Sequence, residues 1–80
     1  MIVSVEISLY PLSENFEKPI DAFSSLVSVN PNLSIDSGKM SSVITGELSE
    51  IMKTLNNSMG VIFDQFPAVF NLKISNCCPV

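Results

Sequence analysis

The chain has no histidine, no arginine and no tryptophan. Without histidine, neither a Ser-His nor a Cys-His pairing of nucleophile and base can form. All four basic residues are lysines, set against eight carboxylates for a net charge of −4. A nucleic-acid partner calls for a basic stripe, usually with arginine for phosphate or guanine. None is present, and the same shortage excludes polybasic attachment to a membrane. No apolar run approaches the roughly 18 residues of a membrane span. The opening segment lacks the basic n-region of a signal peptide. The expectation is a cytoplasmic protein with neither a nucleic-acid nor a membrane partner. No P-loop, dinucleotide fingerprint or cluster of metal ligands occurs.

Cysteine is scarce as well. Cys77 and Cys78 are adjacent and close to the end. Adjacent cysteines rarely bridge each other, because the eight-membered ring strains the peptide between them. Two thiols with no histidine also make a poor zinc site. They read as free thiols on a tail over 77–80, beyond a single domain over 1–76.

Charge of either sign is low, at 15 % of residues against 46 % hydrophobic ones. Ordinary chains have roughly 25 % charged residues. An 80-residue domain buries only about 60 % of the surface its unfolded chain exposes. Oligomerisation is one usual supplement to stability at that size. Low charge and small size together point to a chain that packs against copies of itself, as a dimer or tetramer.

The patterning that is present is regular. Over 2–10, Val3, Val5, Ile7 and Leu9 alternate with Ile2, Ser4, Glu6, Ser8 and Tyr10, the period of a half-buried strand that Pro11 ends. A polar loop over 12–18 leads to Pro19, suited to a first helical turn. Ile20, Phe23, Leu26 and Val27 then recur at helical spacing until Asn30-Pro31-Asn32. Residues 33–37 and 40–45 read as two strands joined at Gly38-Lys39, an antiparallel hairpin. Leu48, Ile51, Met52, Leu55, Met59, Ile62, Phe63 and Phe66 form one apolar stripe at helical spacing, closed by Pro67. Asn56, Asn57 and Gly60 make the middle of that helix its weakest point. Ala68, Phe70, Leu72 and Ile74 alternate through a fourth strand. The order βαββαβ predicts an α+β, ferredoxin-like sandwich, a four-stranded antiparallel sheet with two helices on one face. The first strand then lies between the third and fourth. The uncovered sheet face gathers Ser4, Glu6, Ser8 and Tyr10 with Asn71 and Lys73, a surface suited to a second copy or to a partly polar pocket.

Glu6 is the best-placed lone acid–base candidate, in mid-strand among apolar neighbours. A charge pair with Lys73 on the fourth strand accounts for it more simply than catalysis does. Ser41 and Ser42 are ordinary strand hydroxyls or ligand contacts. The methionines Met40, Met52 and Met59 suit core filling.

Two segments carry a family resemblance. The opening Met1-Ile2-Val3-Ser4-Val5-Glu6-Ile7-Ser8-Leu9-Tyr10-Pro11-Leu12 resembles the first strand of the small thiamine-binding proteins, an apolar run followed by Glu-Ile-Ser and then Pro-Leu. Met40-Ser41-Ser42-Val43-Ile44-Thr45-Gly46-Glu47 resembles their third strand, and Leu48-Ser49-Glu50-Ile51-Met52 the start of their second helix. Ser42 stands where that family usually has threonine, and Thr45 where it has glutamate. The resemblance implies a non-catalytic subunit of a dimer or tetramer that binds thiamine or its hydroxymethylpyrimidine portion, with no cofactor. By position, Glu6, Ser8, Met40, Ser41 and Ser42 are its candidate ligand contacts. Two readings follow: a homo-oligomeric binding protein for such a pyrimidine, and a structural or regulatory oligomerisation module with no small ligand.

Overall fold

Val3, Val5 and Ile7 are almost wholly withdrawn from solvent, and they make the first strand the centre of the molecule. The computed structural model describes residues 1–38 and 41–77. The elements run β1 (Ile2–Pro11), α1 (Glu17–Ser28), β2 (Ser34–Ser37), β3 (Ser42–Glu47), α2 (Leu48–Gln65) and β4 (Ala68–Ser75). The four strands form one sheet in the order β2-β3-β1-β4, every neighbouring pair antiparallel. This is the ferredoxin-like α+β arrangement expected from the pattern, with β1 between β3 and β4.

Strand parity decides what each face meets. The odd positions of β1 join Ile44 of β3 and the inner faces of both helices in a core of Val3, Val5, Ile7, Phe23, Val27, Ile44, Ile51, Leu55 and Ile62. Removing such side chains from water is the main favourable term in folding. The even positions of β1 turn to the uncovered face. There Glu6 lies opposite Lys73 and Val43, and Ser8 opposite Asn71. Ser4 lies opposite Thr45, and their hydroxyl oxygens are 3.1 Å apart. Ser4 is buried in spite of that face.

The helices differ from expectation at their ends. α1 starts at Glu17, two residues before Pro19, which is buried as the third helical residue. Its missing N–H is still among the first four, which have no partner within a helix. Along α2, Ile51, Leu55, Ser58 and Ile62 are buried, while Met52 and Phe63 lie on the exposed flanks of the stripe. Helix α2 runs unbroken through Asn56, Asn57 and Gly60. Its first N–H, from Leu48, donates to the Met1 carbonyl at 2.9 Å.

Strand β3 is displaced relative to the predicted span. It runs to Glu47 because Gly46 and Glu47 pair with Val3 and Ile2. Gly46 packs closely: a Cβ at this position would stand 2.7 Å from Leu33 Cδ2, the tip of a flexible side chain, and 3.4 Å from the Asn32 carbonyl oxygen. The predicted Gly38-Lys39 turn falls partly outside the described residues. The Gly38 N–H donates to the Ser41 carbonyl at 2.8 Å.

Candidate functional site

The ladder between β3 and β1 ends at the pair Ser42–Ile7, whereas β1 continues to Pro11 with β4 alone as its partner. The sheet therefore has a step, and α1 passes over it. The result is a hollow of about 70 Å³ lined by Ile7, Leu9, Ile20, Phe23, Ser24, Gly38, Ser41 and Ser42. Part of the lining is aliphatic and aromatic. The rest includes Ser41 and Ser42, both half-buried residues. Phe23 is fixed in its wall by Phe70, whose ring centroid lies 5.1 Å away.

The structure separates the residues singled out by sequence. Ser41 and Ser42 reach this hollow. Ser42 belongs to the helix side of the sheet, as its pairing with Ile7 requires. Glu6 and Ser8 lie on the opposite, uncovered face. There Glu6 Oε1 is 3.7 Å from Lys73 Nζ, in a pair whose side chains are 38 % and 72 % exposed respectively. Met40 lies outside the described residues. Phe23, Ile20 and Ser24 were not among the site residues expected from the sequence. The signal available for them was the helical spacing of the segment after Pro19, which gives a buried face without saying that part of it borders a cavity.

A serine hydroxyl can donate and accept a hydrogen bond, and the rest of the lining is largely apolar. No group of three or more metal-ligating side chains occurs among the described residues. Cys77 is a free, exposed thiol, while Cys78 lies outside the described residues. No helix among the described residues is long and apolar enough to cross a membrane.

A wider groove of about 450 Å³ runs between the end of α1 and α2. Its central polar groups serve the fold. The Asn30 side-chain N–H₂ donates to Glu50 Oε2 at 3.3 Å and to Thr54 Oγ1 at 3.0 Å. Asn30 Oδ1 accepts from the Asn32 N–H at 2.9 Å. This carboxamide ties the two helices together.

No protein-family model matches the chain, and no curated protein matches its sequence. Solved structures match over almost its whole length. A Thermotoga maritima protein named, provisionally, for thiamine biosynthesis or salvage has 21 % identity and a TM-score of 0.85, over 96 % of this chain and 85 % of that one. A hypothetical protein from Methanocaldococcus jannascii has 22 % identity and a TM-score of 0.83, over 99 % and 84 %. A Bacillus cereus domain of unknown function has 16 % identity and a TM-score of 0.78, over 99 % and 79 %. Identities this low establish a shared fold.

Proposed function

We propose that the protein is a non-catalytic, homo-oligomeric small-molecule-binding protein whose ligand is thiamine or its hydroxymethylpyrimidine moiety. The observation that carries this reading is the hollow at the β3–β1 step, whose lining joins Ser41 and Ser42 with Phe23, Ile7 and Leu9. An aminopyrimidine has a flat apolar face and an edge of donors and acceptors. Ligand sites typically combine an apolar wall with a few placed polar groups in just that way. The fold shared with the Thermotoga protein supports the same reading. At about 70 Å³ the hollow is smaller than the roughly 300 Å³ at which small-molecule sites usually begin. It accepts one edge of a ring, and the rest of the ligand projects outward. Glu6 and Ser8, on the other face, belong to the contact between copies in this reading, with exposed Ile2, Tyr10 and Val69 beside them.

Calorimetric titration with hydroxymethylpyrimidine and thiamine tests the proposal. Saturable heat whose affinity is weakened in Ser42→Val supports it. A folded sample that gives no heat and no thermal shift at millimolar ligand overturns it. The small volume favours the second reading, an oligomerisation module without a ligand, and a stable oligomer in that same sample supports it.

A further inference from the structure

The groove between the end of α1 and α2 differs in kind from the hollow. Its lining includes Leu26 and Val29 at the end of α1, and Glu50, Lys53, Thr54 and Ser58 of α2. Asn30 is committed to the fold, but several of its neighbours are not. The ion pairs among the described residues are Met1–Glu47 and Glu6–Lys73. Glu50 and Lys53 therefore bring opposite charges to one groove without neutralising each other. Residues three apart on a helix are neighbours, with Cβ atoms about 5–6 Å apart. Thr54 Oγ1 accepts from Asn30 and keeps its own O–H to donate. Ser58 is the most deeply buried of the lining, at 1 % exposed. Its hydroxyl bonds to no other described residue, yet no sealed polar side-chain atom among them goes unpaired. The trace of surface that Ser58 retains is therefore its oxygen, and it opens into the groove. Such a hydroxyl takes its partner from whatever fills the space.

We propose that this groove binds a zwitterionic α-amino acid with an aliphatic side chain. The Asn30 bond brings Glu50 up to the end of α1. The last carbonyls of a helix have no partner within it and carry the negative pole of its dipole. The last turn of α1 has no basic residue to offset that pole. The ammonium of the ligand sits between this end and Glu50, and its carboxylate meets Lys53. Its side chain covers Leu26 and Val29, the latter 78 % exposed. One carbon separates the two charges of an α-amino acid, so a single small molecule reaches both residues. A neutral polyol would satisfy Thr54 and Ser58 but leave both charges unmatched. A dicarboxylate or a diamine would meet one charge and repel the other. The groove, at about 450 Å³, falls within the roughly 300–1,000 Å³ of small-molecule sites. It shares no lining residue with the hollow, so it stands or falls independently of the pyrimidine reading.

Calorimetric titration of the full chain with L-leucine tests it. Saturable binding is expected. It is about tenfold weaker for 4-methylpentanoate, which lacks the ammonium, and for 3-methylbutylamine, which lacks the carboxylate, the usual factor for one charged hydrogen bond. Lys53→Met, at an exposed position, weakens leucine binding by a similar factor. Lys18→Met makes the same charge change in the first turn of α1 and leaves the affinity within about twofold. Ser58→Ala, with its fold checked by thermal unfolding, weakens binding by roughly 3- to 10-fold. Ser42→Val has no effect on leucine. A folded sample that gives no saturable heat at millimolar leucine overturns the proposal. So does equal affinity for glycerol or for 4-methylpentanoate. A loss in Ser42→Val that Lys53→Met does not share overturns it too, since the amino acid would then occupy the hollow.

Discussion

Ser42 is paired with Ile7, and beyond that pair β1 has no neighbour on the β3 side. The register therefore places a hydroxyl at the end of a strand, under α1 and beside the hydrophobic Leu9 and Phe23. Two serines and an apolar wall line a small hollow. It exists because the third strand is shorter than the first.

If Ser42 supplies a hydrogen bond to a bound pyrimidine, Ser42→Val weakens binding by roughly 3- to 10-fold, the equivalent of one net hydrogen bond of about 1 kcal/mol. Ser8→Ala, on the opposite face, leaves the affinity within about twofold. Paired titrations of the two variants check this. Equal losses in both would remove the hollow as the site.

The burial of Leu55 predicts a large core penalty. Leu55→Ala lowers unfolding free energy by about 2–5 kcal/mol in urea titrations. Met52→Ala, on the exposed flank of the same helix, costs under about 1 kcal/mol. Similar costs at the two positions would mean that α2 is rotated from the orientation described.

Gly46 packs beneath Leu33. Gly46→Ala pushes that leucine tip aside and destabilises by no more than about 1 kcal/mol. Because Leu33 Cδ2 is the nearest atom, at 2.7 Å, the penalty shrinks when Leu33→Ala is already present. A double-mutant cycle measures this coupling, which is absent if the backbone alone demands glycine.

In an isolated chain the Glu6–Lys73 pair is open to water, and its coupling, measured at a dilution where the chain is a monomer, is expected to be correspondingly small. A cycle of Glu6→Gln and Lys73→Met gives less than about 1 kcal/mol, fading towards zero near 1 M salt. A larger, salt-resistant coupling would show that the uncovered face is dry in solution, as packing against another copy would make it.

Much of the fold was legible because its strongest signals are periodic. Alternation in β1 assigns Val3, Val5 and Ile7 to the core and Glu6 to the other face. The β1–β4 register then brings Lys73 to Glu6, as expected. Single-strand parity could not tell which side of β3 meets the helices. The hairpin ends do not fix a register, and Ser42 and Val43 are equally plausible in either direction until Ile44 is seen buried. Ser58 was missed for a related reason. A serine in an apolar stripe looks like a gap, yet it sits between Leu55 and Ile62 on the inner side of α2 and is 1 % exposed. The hollow was the least legible part. Glu6 and Ser8 share a motif with neighbours whose side chains point the opposite way. Closeness in sequence along a strand puts alternate residues on opposite sides of the sheet.

The step beside Ile7 separates two design problems that most pockets combine. Its volume is created by where a strand stops, so no core side chain has been trimmed to make room. Lengthening or shortening the connection that includes Gly38 and Ser41 would resize the opening while Ile44 and Val5 kept their packing. The rim of the hollow and the packed core are thus set by different residues.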